Sequence, residues 1–514
     1  MAETFQIDKK KIFKNTLLLY IRMLILMLTG LFTVRVLLNA LGTEDYGVYN
    51  AIAGVVTLLS FMNASMASAT QRYFSFALGK KDRELLQRIF GTNLLIYVLI
   101  AAGAVILLET IGLWFLNQKL VLPTDRLYEA NIVYQFAVLT LVFQIFTSPL
   151  IAIVIAHEDM HYYTYISGLD IIFKLAAALS VFLFPANKMM YYALLNMIVC
   201  CFSLLIYICV CYKKYPACQF GVGKYDKSLL KEIFGFTGWT LFGSMTCVVR
   251  GQLVTLLLNQ MFNPVVVAAK VIALNVSTVV QSFSNNFNVG LYPPIVKSYA
   301  AGAKQEMFQL IYEGCKITFF LMWVFALPLL LRMDYVLTLW LKNPPEGVVL
   351  FTQLALIEAL IVSVSMPLTT AARAPGKMML YELVLGSMQI AIFPISWGVL
   401  AMGYPPYSVF VVGIAINILM FFVRLIIVSH LTELPFFTFL WKVGLPVMAV
   451  LIVSTIPSWF INRFIPEGFF WCGLLGIMTI VFTCGSMFCL GLNKQQKIKF
   501  ISIIKSNLIR RTCP

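Results

Sequence analysis

Charge is scarce in this chain. Asp, Glu, Lys and Arg together make up 12% of 514 residues, against about a quarter in soluble proteins, which excludes an ordinary water-soluble domain. There are only three histidines. His157 and His161 sit four apart beside Glu158 and Asp159, a grouping that reads as a solvated turn and not a metal or acid–base site. The eleven cysteines form no CxxC pair and no cluster with His at ligand spacing, so no disulfide framework, metal or other cofactor is expected. Most fall in apolar runs, where Cys behaves as a small hydrophobe. Neither an Asp-x-Asp pair nor a Gly-rich phosphate loop with Lys-Ser/Thr occurs. Long polar stretches are missing too, leaving no room for a soluble catalytic or nucleic-acid-binding domain. No catalytic set emerges, and no nucleic-acid partner is expected.

Apolar sequence is what the chain has in abundance: 61% of its residues are hydrophobic and the mean hydropathy is +0.88. Runs long enough to cross a hydrocarbon core of about 30 Å recur throughout. The expected fold class is an all-α polytopic membrane protein of about fourteen transmembrane helices: 16–41, 47–69, 89–116, 130–156, 163–184, 189–212, 233–258, 264–292, 311–332, 348–372, 378–402, 406–430, 439–462 and 467–490. A tight turn, Gly42-Thr43-Glu44-Asp45-Tyr46-Gly47, is expected between the first two. The basic, Gly-containing connection 213–232 divides an N-terminal lobe (1–212, helices 1–6) from a C-terminal lobe (233–430, helices 7–12). Residues 431–514 add helices 13–14 and a basic tail. Met1–Lys14 carries four lysines and no small-residue cleavage site, so it reads as a cytoplasmic tail and not a signal peptide.

Loop charge sets the orientation, because Lys and Arg accumulate on the cytoplasmic side. With the N-terminus inside, cytoplasmic segments hold 24 of these residues and the other side 6. Both termini are therefore expected in the cytoplasm. The net charge of +16 finds its place in those loops, against anionic membrane lipids. One motif recurs: Ser75-Phe76-Ala77-Leu78-Gly79-Lys80-Lys81 reappears as Ser298-Tyr299-Ala300-Ala301-Gly302-Ala303-Lys304. Each copy closes a long helix that follows an arginine-bearing one, the pattern of an internal duplication and hence of two pseudo-symmetric lobes around a central cavity.

An ionised side chain within a span costs roughly 2.5–3.5 kcal/mol on insertion scales, so each one asks for a reason. Lys316, Arg424 and Lys442 lie near cytoplasmic ends and can snorkel. Lys174 stands four residues after Asp170, the spacing of a helical ion pair. On the first helix Asn15, Arg22, Thr29 and Thr33 share one face, and on the seventh Trp239, Gly243, Thr246 and Arg250 do. On the eighth, Lys270, Ser277, Gln281, Ser284 and Asn288 form a stripe, with Asn285 and Asn286 beside it. Such stripes are packing seams or the walls of wet cavities; long cationic and amide side chains favour a cavity. Arg35 lies off the Arg22 face, near the turn, and either snorkels or lines the cavity. Acids in the spans are few (Glu109, Asp170, Glu358 and Glu382), so the interior is expected to be cationic and to suit an anionic solute.

Two stretches resemble Wzx-like polysaccharide flippases of the multidrug/oligosaccharidyl-lipid/polysaccharide (MOP) exporter superfamily. They are Asn15-Thr16-Leu17-Leu18-Leu19-Tyr20-Ile21-Arg22-Met23 and Arg35-Val36-Leu37-Leu38 followed by Leu41-Gly42 and Asp45-Tyr46-Gly47-Val48-Tyr49. Pro293-Pro294-Ile295-Val296-Lys297-Ser298-Tyr299 fits as well. The resemblance implies a flippase, not an enzyme, carrying a polyprenyl-diphosphate-linked oligosaccharide from the cytoplasmic to the periplasmic leaflet of a bacterial inner membrane. It also implies a cationic cavity lined by the first, second, seventh and eighth helices, and alternating access between the lobes. Other polysaccharide assembly proteins are an expected partner class. On that basis Arg22, Arg250 and Lys270 are the diphosphate candidates, with Arg35 behind them and Arg250 ahead of Arg22 for its depth. Gln281, Ser284, Asn285 and Asn288 would face sugar hydroxyls. Asp170, Glu358 and Glu382 are the candidates if an ion drives transport. A multidrug extruder of the same fold would prefer an acidic, aromatic cavity. A glycan polymerase or ligase would need a larger periplasmic loop than Arg332–Gly347.

Overall fold

The computed structural model describes residues 9–57, 59–118, 127–184, 187–215, 226–262, 264–341, 344–466 and 468–491, and among them there is no strand. The helices are α1 (Lys9–Thr57), α2 (Ser60–Gly79), α3 (Arg83–Gln118), α4 (Leu127–Ala156), α5 (Met160–Leu183), α6 (Lys188–Lys214) and α7 (Lys227–Met261). They continue as α8 (Pro264–Ala300), α9 (Lys304–Leu331), the short α10 (Met333–Leu341), α11 (Val348–Arg373), α12 (Met379–Ala401), α13 (Ser408–Thr432), α14 (Phe436–Phe464) and α15 (Phe469–Gly491). A backbone in hydrocarbon must satisfy its own hydrogen bonds, which a helix does within itself. Among the described residues, eleven of these helices are long and apolar enough to cross a membrane. The expected first span lies on α1, the second runs from the end of α1 into α2 and the seventh lies on α7; none of the three is among the eleven.

The chain divides into two compact units. Unit 1 holds residues 1–245, 289–307 and 373–383; unit 2 holds 246–288, 308–372 and 384–514. In unit 1 the first part of α1 packs Leu19 against Ile155 and Met160, where α4 hands over to α5. Further along, Val36, Leu37 and Ala40 meet Ala178, Val181 and Tyr192, where α5 hands over to α6. In unit 2, Val254, Leu257 and Leu258 of α7 pack on Leu400 and Val409.

The turn expected at 42–47 is not a break: the backbone stays helical from Lys9 to Thr57. A lone glycine costs a helix only about 1 kcal/mol, and no proline stands between Lys9 and Thr57. Arg22 lies beside Ser167 near the start of α5. Ala40 accepts from Lys188 at the start of α6. Tyr49, Ala53 and Val56 line a cavity with residues of α4 and α6.

The two copies of the repeated motif meet each other inside unit 1. A Cβ on Gly79 would lie 2.7 Å from the Lys297 carbonyl oxygen and 2.8 Å from the Ala300 Cβ. Ser75 and Ser298 are both fully buried. Phe76 and Tyr299 pack on one cluster with Tyr292, Val296 and Ala374.

Candidate functional site

Arg22 sits on α1 of unit 1, half-buried against α5. Its Nε donates to the Ser167 hydroxyl at 3.0 Å, and its guanidinium lies 4.4 Å over the Tyr163 ring. The ring face and the hydroxyl orient the group without neutralising it. Among the described residues no carboxylate pairs with Arg22. Asp170, the acid on the same stretch of α5, is taken by Lys174 at 2.9 Å and by the Ser203 hydroxyl at 2.8 Å. The Lys174 spacing is thus the local ion pair that the sequence suggested. Arg22 is left with two Nη groups and a full charge to offer, the fork that matches phosphate oxygens.

Arg250, on α7 in unit 2, is differently placed. Its Nη2 donates to Glu358 of α11 at 2.5 Å and its Nη1 to Gln389 of α12 at 3.0 Å. Asn417 of α13 donates to the same Glu358 oxygen at 2.9 Å. Gly413 leaves the room for this cluster: a Cβ there would stand 3.2 Å from both the guanidinium and the carboxylate. Arg250 is therefore a neutralised cation in a four-residue network, whereas Arg22 has no such partner among the described residues. Sequence reasoning named Glu358 but missed Gln389 and Asn417. The signal was there, since both are amides within apolar spans, where polar groups seek one another.

Lys270 is 5% exposed and donates to the Gly251 carbonyl at 3.1 Å and the Thr255 hydroxyl at 2.7 Å. The stripe on α8 divides in two. Ser277 donates to the Ala355 carbonyl at 3.2 Å and fully buried Ser284 to the Thr318 carbonyl at 2.6 Å. These serines form a packing seam. Gln281, Asn285 and Asn288 follow one another at spacings of four and three. Among the described residues none of the three has a hydrogen-bond partner, and the Asn288 Oδ1 is buried without one. Small residues made the seam and amides were left over.

The Arg35 side chain, like that of Asn15, lies outside the described residues. Glu382 is 8% exposed on α12 and presses against Gly243 of α7, where a Cβ would overlap its carboxylate. Lys316, expected to snorkel, is instead buried and donates to the Gly491 carbonyl at the end of α15 at 3.1 Å. Lys442 is exposed, as snorkelling requires. One buried cation was not singled out from sequence. Arg72 donates to the Arg373 and Ala374 carbonyls at the end of α11, each at 3.1 Å, and lies 4.4 Å over Tyr73. It caps that helix end. The His157 turn is packed and not merely solvated: the imidazole stacks on Tyr215 at 4.3 Å, and Lys297 reaches Glu158 at 2.6 Å.

Known proteins can now be set beside this geometry. The solved structure of a MATE in the bent conformation superposes with a TM-score of 0.70 at 11% identity, covering 83% of this chain and 96% of that one. The outward-facing conformation of a multidrug resistance MATE family transporter of the MOP superfamily gives 0.69 at 12% identity, with 82% and 96% covered. A MATE in the straight conformation gives 0.69 at 11%, with 83% and 97% covered. At such identity these show the fold alone. No curated protein matches the sequence. The model of the polysaccharide biosynthesis protein family matches residues 12–299, more than half of the chain, which bears out the resemblance to Wzx-like flippases. Fold, apolar helices and family match converge: this chain belongs to the polysaccharide biosynthesis protein family and is a multi-pass membrane protein with the fold of the MATE structures.

Proposed function

We propose that the protein carries a polyprenyl-diphosphate-linked oligosaccharide from the cytoplasmic to the periplasmic leaflet of the bacterial inner membrane by alternating access. The product would feed O-antigen, capsule or exopolysaccharide assembly, and both termini would stay in the cytoplasm. The observation that carries this reading is Arg22: a membrane-embedded guanidinium held by a hydroxyl and an aromatic face, with no carboxylate partner among the described residues. An unneutralised cation at that depth is costly unless an anion visits it. A diphosphate supplies that anion. Gln281, Asn285 and Asn288 offer unpartnered donors and acceptors to sugar hydroxyls. Lys270 and Arg250 serve as supporting positive charge, with Arg250 restrained by Glu358.

The test is transfer of a labelled lipid-diphosphate oligosaccharide between leaflets of proteoliposomes. Arg22→Ala removes a charge-assisted contact worth about 1.5–3 kcal/mol, so transfer should fall about ten- to a hundredfold with protein abundance unchanged. Arg22→Lys should restore only part, because an ammonium cannot make the paired contact. Full activity in Arg22→Ala would remove the assignment. Uptake of a cationic drug without any glycolipid transfer would replace it with multidrug extrusion.

A further inference from the structure

Unit 1 contains a partly open cavity of about 180 Å³ lined by α1, α4 and α6. Its polar lining is Tyr49, Thr140, Gln144 and Asn196, and its flat walls are alanines such as Ala53 and Ala137. No lining residue is Asp, Glu, Lys or Arg. Gln144 stands near the middle of a 30-residue span and is nonetheless exposed. Among the described residues Asn196 has no hydrogen-bond partner. The Thr140 hydroxyl donates to Phe136 at 2.7 Å, which leaves its oxygen free to accept. The Tyr49 ring is fixed edge-on to Tyr192 at 5.1 Å.

We infer that this cavity is a binding site for a neutral sugar unit of the transported glycan, an inference that rests on the diphosphate reading above. The chemistry selects among occupants. An acyl or polyprenyl tail would leave two amides facing hydrocarbon, each a desolvation penalty. A cationic or anionic ligand would find no countercharge. A hydroxyl-rich, uncharged ring finds what it needs. Asn196 presents a donor pair and an acceptor to neighbouring hydroxyls, Gln144 what its bond to Cys200 leaves over, and the tyrosine ring offers an apolar face to the sugar's C–H groups.

Its position fits the same cargo. The cavity runs from the end of unit 1 where α4 and α6 begin to the middle of α4, whereas Arg22 lies where α5 begins. A glycan extending from a diphosphate at Arg22 would therefore reach this pocket with sugars some way from the lipid, so Gln144 and Asn196 would read glycan identity and not the carrier.

The experiment compares two probes on the purified full chain in detergent: a bare polyprenyl diphosphate, and the same lipid bearing a short neutral oligosaccharide. Wild type should bind the glycosylated probe about tenfold more tightly than the bare one. In Gln144→Leu and in Asn196→Leu this affinity ratio should fall toward one. Ala137→Leu, which narrows the cavity without touching either amide, should lower it as well and guards against a variant that fails to fold. A ratio unchanged in all three variants overturns the sugar site while leaving the diphosphate reading intact. Absence of binding to either probe by wild type overturns both.

Discussion

Arg22 and Arg250 look alike in the sequence, each a cation on a polar helix face, yet the structure gives them different partners. Arg250 is part of a partly buried pair, with side chains 23% and 13% exposed for Arg250 and Glu358. Removing one member strands the other's charge, which costs about 3–5 kcal/mol at a fully buried site and less here, whereas replacing both is often neutral. Arg250→Met should therefore lower the thermal midpoint markedly, and Arg250→Met combined with Glu358→Leu should recover most of it. Thermal scanning of the two purified variants decides this. A double variant as unstable as the single would mean that the pair is not the unit of stability. If the double variant is also stable but inactive in proteoliposomes, Arg250 has a role beyond packing. Helical spacing placed every one of these side chains on the right helix. It could not show which cation has an acid opposite, because Glu358 lies 108 positions away. Nor could it show that Ser284 bonds across to α9 while its neighbours Gln281 and Asn288 do not.

At the level of elements, the repeated heptapeptide shows how one motif serves two purposes. In the first copy Gly79 allows close approach, since a Cβ would press on the Lys297 backbone. In the second, Gly302 has open space around it and a φ of +72°, which glycine adopts freely. Gly79→Ala forces packed backbone to shift and should cost about 1–3 kcal/mol. Gly302→Ala should cost about 1 kcal/mol, from its dihedral alone. Chemical or thermal unfolding should rank them in that order; equal costs would mean that the contact at Gly79 yields cheaply. The turn between α4 and α5 carries a pH dependence. Burial pushes the His157 imidazole below its usual pKa, reinforced by Lys297 and Lys214 and opposed by its bond to Ile153 and by Asp159. The unfolded chain then binds the proton more readily than the folded one. Stability contributed here is full above the ordinary histidine range and is lost as pH falls through it toward the depressed folded value. Thermal midpoints measured from pH 8 down to 5 should fall more for wild type than for His157→Gln. The motif's recurrence was legible in the sequence; that its two copies touch was not, because contact across 223 positions leaves no local periodicity.

For the whole molecule, apolar runs and loop punctuation were enough to specify an all-helical membrane protein, because a bilayer admits few other backbones. The turn expected at Gly42–Gly47 was misjudged, since the helical hydrogen bonding across it depends on neighbours that spacing does not reveal. The energetics of transport also belong at this scale. Moving about two negative charges outward across an inside-negative membrane gains roughly 2.3 kcal/mol per charge per 100 mV. The potential alone can therefore drive export, without a dedicated acidic ion site. Two of the coupling candidates fit that view: Asp170 is opposed by Lys174 at 2.9 Å and Glu358 by Arg250 at 2.5 Å, so each already has its cation. The third, Glu382, is buried against Gly243. In proteoliposomes without proton or sodium gradients, transfer of the glycolipid should rise as an inside-negative potassium diffusion potential is imposed, and fall when it is collapsed. Transfer that survives collapse of the potential but stops when a proton or sodium gradient is removed would show the opposite coupling. Charge-neutralising changes at Asp170, Glu358 and Glu382, made one at a time, would then identify the carboxylate that takes the ion: only its loss would make transfer indifferent to the gradient.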